Sequence, residues 1–211
     1  TREPSDWTLT ADPDGIDGQE PVTGNGTGIE ADGGVQEVSI FAGDYTLSED
    51  GPTGFDAGDW VCEGGVVEED RVTVPSGGNV ICTITNTAVS PQLTLIKVVD
   101  NGTTGGDSTP DDWALTGDGP TPITGYTNDP SVTDADVKVG TYDLSEVGTE
   151  VGYTEGDWVC VGGEQDEEHI TLAEGDDVTC TITNTAVEST WTISKSSTPA
   201  SGSTVLPGSL I

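Results

Sequence analysis

Apolar and polar positions alternate with a period of two in many short runs along the chain, and no stretch carries the three-to-four spacing of an amphipathic helix. In the first half the runs are Trp7-Thr8-Leu9-Thr10, VQEVSIFA (35–42), DYTLSE (44–49), Trp60–Glu63, Arg71–Val74 and 79–86, the last with Val80, Cys82, Ile84 and Asn86 on one face. In the second half they are Leu93–Val99, Trp113–Thr116, Gly140–Glu146, runs within Gly156–Val187, and Trp191–Lys195. Clusters of Gly, Pro, Asn and Asp separate them, so each reads as a strand bounded by turns, and the chain is all-β. Two longer loops are expected, at 100–111 and 117–136.

The pattern recurs. GDWVCEGGVVEEDRVTVPSGGNVICTITNTAV (58–89) returns as GDWVCVGGEQDEEHITLAEGDDVTCTITNTAV (156–187), and Cys62 and Cys82 recur as Cys160 and Cys180 at a common offset of 98. A fixed period marks a tandem array. The expected organisation is a first β-sandwich repeat over 1–90, a second over 91–188, and a segment 189–211 holding the opening strand and tail of a further repeat, or a donor strand. The first repeat lacks an opening strand, because the equivalent of Lys97 would lie before Thr1. Either the 211 residues are a window on a longer array with that strand upstream, or the strand comes from another copy, with residues 190–195 as donor and Lys195 meeting Asn86.

Charge narrows the function. With 39 Asp and Glu against five Lys and Arg the net charge is −34, which excludes nucleic-acid phosphates and anionic membranes as partners. No apolar window of spanning length and no secretory leader occurs, so a leader or anchor is expected to lie outside the chain or to be absent. The four cysteines lack CxxC spacing and His169 is the lone histidine. Disulfides Cys62–Cys82 and Cys160–Cys180 are therefore expected, and with them an oxidising extracellular compartment. The carboxylate-rich DPDGIDG at 12–18 lacks the downstream ligands of a calcium loop and reads as a solvated turn. No metal and no cofactor is expected. Trp60 and Trp158 share a face with the neighbouring cysteine and read as core.

Three polar residues fall on apolar faces. Lys97 aligns with Leu93, Leu95 and Val99, Glu146 with Tyr142 and Leu144, and Asn184 with Val178, Cys180 and Ile182. A buried lysine tends to lose its proton, and a neutral amine beside a carboxamide with a carboxylate to relay protons can form an amide. Lys97 and Asn184 would be joined and Glu146 would promote the step. Alternatively, Lys97 snorkels from a strand end, Glu146 faces a wet loop and Asn184 caps a turn. The first repeat holds Glu49 and Asn86 but no matching lysine.

The order LTLIK, YDLSE, TITNT resembles the prealbumin-like repeat domains of Gram-positive surface proteins, also called Cna protein B-type or SpaA-like domains, over roughly residues 7–187. The resemblance implies tandem prealbumin-like, immunoglobulin-like β-sandwiches and an autocatalytic Lys–Asn cross-link, for which Lys97, Glu146 and Asn184 match. A cysteine pair in each domain departs from that pattern and offers an alternative staple. The tail KSSTPASGSTVLPG is similar to the start of another bacterial stalk repeat. Together these imply a non-enzymatic stalk or filament module at the surface or wall of a bacterium, with neighbouring repeats or other copies as partners and a surface receptor of unknown identity. The alternative is a ligand-binding adhesin domain using the two longer loops. An enzyme acting on other molecules is not expected, given one His and no nucleophile elbow.

Overall fold

The computed structural model describes residues 2–27, 38–148 and 150–196. Among the described residues, nine strands lie in the first half: β1 (Thr8–Pro13), β2 (Val22–Asn25), β3 (Gly43–Asp50), β4 (Phe55–Ala57), β5 (Val61–Glu63), β6 (Val66–Glu68), β7 (Arg71–Val74), β8 (Ile81–Thr83) and β9 (Asn86–Ala88). Nine more follow: β10 (Gln92–Asp100), β11 (Trp113–Asp118), β12 (Ile123–Gly125), β13 (Ala135–Asp136), β14 (Gly140–Gly148), β15 (Tyr153–Val161), β16 (Glu164–Asp166), β17 (His169–Leu172) and β18 (Asp177–Ala186).

The second half is a two-sheet β-sandwich. One sheet has the order β13-β10-β18-β15 and the other β12-β11-β14-β17-β16. β10 and β18, the first and last strands, run parallel from Gln92↔Asp177 to Asp100↔Thr185, while the other pairs are antiparallel. Their inward residues close the core, with Leu93, Leu95, Leu115, Tyr142, Ile170 and Ile182 fully buried. This is the alternation expected of sheets with one face packed.

The first half repeats one sheet and only part of the other. The order β2-β1-β3-β7-β6 copies β12-β11-β14-β17-β16, but opposite it stand two separate pairs, β4-β9 and β5-β8. The run expected to be one strand over 79–86 is thus broken between β8 and β9, although its counterpart β18 is continuous. The cause is the missing neighbour: β18 is bonded on both sides, by β10 and β15, whereas among the described residues β8 and β9 are bonded on one. A ladder held from one side leaves half its backbone groups to other partners.

Other expectations need correction. Residues 38–42 are not strand, and the remainder of the expected 35–42 run lies outside the described residues. Trp191–Lys195 is not a strand either; Trp191 is 79% exposed and Ile193 75%, and none of the described residues pairs with them. Residues 197–211 lie outside the described residues. The turn at 12–18 begins later than expected, since Asp12 and Pro13 belong to β1, and Asp14 is engaged with Arg71 Nε at 3.1 Å and Thr46 Oγ1 at 3.0 Å. The two longer loops are pinned rather than free: 117–136 contributes β12, β13 and the buried Val132, whose carbonyl accepts the Leu95 N–H. In 100–111, Asn101 accepts from the Tyr153 hydroxyl, and Tyr153 accepts from the Ser108 N–H.

Candidate cross-linking site

Each disulfide joins residues directly opposite in an antiparallel ladder. Cys62 faces Cys82 across β5–β8 and Cys160 faces Cys180 across β15–β18, with Cα separations of 4.1 and 4.0 Å. Both expected pairings are present, and no free cysteine remains among the described residues. Cys180 points inward four residues before Asn184 on the same strand face.

Lys97, Glu146 and Asn184 converge inside the second sandwich. β10 and β18 carry Lys97 and Asn184 on neighbouring strands of one sheet, two register positions apart on the same face, and β14 brings Glu146 from the sheet opposite. Lys97 and Asn184 are each 2% exposed, and the Glu146 side chain is nearly as buried. The Lys97 ammonium is paired with Glu146 Oε2, while Glu146 Oε1 accepts from Asn184 Nδ2 at 2.6 Å. One carboxylate therefore bridges amine and carboxamide. Asn184 Oδ1 is buried with no hydrogen-bond partner, so the carbonyl that would be polarised is not committed elsewhere.

Removal from water pushes the Lys97 pKa below its ordinary value, and the hydrogen bond and charge of Glu146, with the more distant charge of Glu155, oppose that shift. The indole of Trp113 lies with its centroid 4.9 Å from Lys97 Nζ, a cation–π contact. Gly148 is directly opposite Trp113 in the β11–β14 pair, and a Cβ there would fall 2.3 Å from Trp113 Cδ1. Gly148 thereby lets the ring lie over the strand end and reach the lysine. The Lys97 N–H is held by Thr127 Oγ1 at 2.7 Å. Sequence alone did not point to Trp113, Thr127 or Gly148 as parts of the site. Only the recurrence of Trp7 at Trp113, each with a glycine against its ring, carried a signal. An open cavity of about 310 Å³ bordered by Trp113, Glu146, Tyr153, Glu155 and Asn184 reaches the Glu146 and Asn184 side of the triad.

The first half has the equivalent pair without the amine. Asn86 Nδ2 donates to Glu49 Oε2 at 3.0 Å, and Asn86 Oδ1 is buried without a partner. Lys195 is exposed and is not brought to this pair.

The model of the prealbumin-like fold domain, of the SpaA type, matches twice, over residues 1–84 and 89–182. No curated protein sequence matches the chain significantly. Among solved structures, the major pilin protein (T-13) of Streptococcus pyogenes is similar at 16% identity, covering 85% of this chain and 89% of that one, with a TM-score of 0.32. A second structure of the major pilin of Streptococcus pyogenes gives 17% identity, 86% and 91% coverage and a TM-score of 0.32.

Proposed function

Because the chain belongs to the family of prealbumin-like fold domains, we propose that it serves as a structural stalk or filament module at the surface of a bacterium, with its second unit locked by an amide between Lys97 and Asn184. The observation that carries this reading is the buried carboxylate of Glu146 touching both the amine and the carboxamide. An extracellular setting agrees with the two disulfides. The strongly acidic surface suits solubility in an extended array.

The chemistry balances within the triad. Lys97 passes a proton to Glu146, which burial favours because the site then holds two neutral groups. The free amine attacks Asn184 Cγ as the carboxamide turns its oxygen toward the protonated carboxyl. Glu146 gives its proton to the departing nitrogen and takes one from the attacking nitrogen. A C–N bond to Lys97 Nζ forms, the C–Nδ2 bond breaks, and ammonia leaves through the open side of the site. The staple would tie the first strand to the last, the two strands through which tension on a stalk enters and leaves the unit.

Mass spectrometry of the denatured chain tests the bond. The expected mass is one ammonia below that of the disulfide-bonded sequence, with the loss located in a branched peptide joining Lys97 to Asn184. The Glu146→Ala chain is expected to show the full mass. A full mass in the unsubstituted chain would overturn the cross-link.

A further inference from the structure

Val89, Ser90 and Pro91 are all that lies between β9, which ends the first unit, and β10, which opens the second. The Val89 N–H donates to the Gly54 carbonyl of the first unit at 3.0 Å, and the Val89 carbonyl accepts the Gly175 N–H of the second at 2.9 Å. Pro91 is fully buried, its ring fixes its φ, and its carbonyl accepts the Val137 N–H at 2.9 Å. The proline also biases Ser90 toward extended backbone. A connection this short and this occupied leaves little freedom between the units.

The units also touch directly, backbone on backbone. Gly54, in the bend before β4, lies against the turn that precedes β18, where the Asp176 N–H donates to the Ala173 carbonyl and Asp176 Oδ2 accepts the Ala173 N–H. A Cβ on Gly54 would fall 1.9 Å from the Glu174 carbonyl oxygen, and one on Gly175 would fall 2.6 Å from Gly54 Cα. A side chain at either place would force the two segments apart. Both glycines have left-handed backbone, with φ of +84° and +75°, but backbone shape alone does not account for the contact. The repeat places Gly152 where Gly54 stands, with φ +86° and the Val187 N–H on its carbonyl at 2.8 Å, and Gly77 where Gly175 stands, with φ +72°. Among the described residues a Cβ on either of these would have no atom within 4 Å. The bend and the turn belong to each unit, whereas the contact belongs to the pair.

We propose that Gly54, Val89 and Gly175 form a rigid joint that fixes the angle between the units and makes the stability of the first depend on the second. Neighbouring units of an array contribute an interface term to one another, and here the unit with the smaller core among the described residues is the one that gains. A fixed angle keeps the reach of the pair from being lost to bending. None of the joint's hydrogen bonds involves Lys97, Glu146 or Asn184, so it forms whether or not the amide does.

Backbone amide relaxation, measured by nuclear magnetic resonance on the complete 211-residue chain, tests the joint. Two substitutions separate it from the cost of placing alanine in left-handed backbone. Gly175→Ala and Gly152→Ala both lie in the second unit at similar φ, and only Gly175 meets the first unit. In the unsubstituted chain both units are expected to report one common tumbling. Gly152→Ala should keep it, and Gly175→Ala should lose it, each unit then tumbling faster on its own. Amide exchange at Phe55–Ala57 and Asn86–Ala88 is expected to quicken about tenfold in Gly175→Ala, although the change lies in the other unit, and to stay as it was in Gly152→Ala. Independent tumbling of the units in the unsubstituted chain would overturn the proposal, and so would equal effects of the two substitutions. Where Gly175→Ala disturbs the second unit itself, Gly54→Ala breaks the same contact from the first, and common tumbling retained in that chain would likewise overturn it.

Discussion

Burial drives the proton off Lys97 while Glu146 and Glu155 hold it on, and burial is the larger influence. A lysine whose folded pKa lies below its unfolded value binds fewer protons when folded. Its contribution to stability therefore rises with pH through the interval between the two values, up to the ordinary lysine value of 10.5, and is flat above it. An amide nitrogen has no such titration. The Asn184→Ala chain, which cannot form the bond, should gain stability as pH is raised toward 10.5, and the Lys97→Met/Asn184→Ala chain should lack that gain. Urea midpoints measured over alkaline pH decide it; parallel profiles for the two would contradict the assignment. Replacing Glu146 by alanine strands the lysine in the core, at a cost of about 3 kcal/mol or more on top of losing the proposed cross-link. All three triad residues could be read from the sequence because period-two alternation puts a polar side chain visibly out of place. Trp113 and Thr127 could not. Trp113 looks like ordinary core in its own strand, and Thr127 sits in a segment that reads as loop. Their meeting with Lys97 is a product of how the sheets stack.

Strands β18 and β8–β9 share the text CTITNTAV, yet one is a continuous strand and the other is two short pieces. Alternation reports which residues can face a core, whereas a strand exists only when something pairs with it. Trp191–Lys195 makes the same point, with a good pattern, no partner among the described residues and no strand. The expected measurement is faster amide exchange at Ile81–Ala88 than at Thr179–Ala186, by more than the flanking sequence accounts for; equal protection would mean the missing neighbour does not matter. The disulfides were legible because their spacing repeats, and as directly cross-strand bridges they fix the register four residues before each Asn. Each closes a loop with a sequence separation of 20. Replacing Cys160 and Cys180 with alanine should therefore cost the second unit about 3 kcal/mol in the chain-entropy account, read from denaturant unfolding. The same change at Cys62 and Cys82 should cost the first unit a comparable amount.

At the scale of the molecule the two units share a design and differ in completeness. Among the described residues the connected core of the second unit contains fourteen buried apolar residues, and that of the first contains four, with several more only half covered. Apolar burial is the main favourable term in folding, so the first unit should unfold at a lower denaturant concentration and the whole chain should show two transitions. Tension separates the staples further. When the chain is pulled from its ends, force enters the second unit through β10 and leaves through β18, which lie side by side and parallel. Parallel neighbours loaded at opposite ends shear, breaking many backbone bonds together, so this arrangement resists force even without a covalent link. With Lys97 joined to Asn184 the path bypasses everything between them, and the disulfide inside that span bears no load. Single-molecule stretching of the unsubstituted chain should accordingly release length from the first unit alone. In the Glu146→Ala chain the second unit should also open, releasing roughly 200 Å or more, because only the residues inside the Cys160–Cys180 loop stay hidden. Reduction of the disulfides should then lengthen that second step in Glu146→Ala and leave the cross-linked chain's second unit unextended. A second unit that opens to the same length in both chains would mean that the triad carries no load, and that the module relies on its disulfides and shear geometry alone.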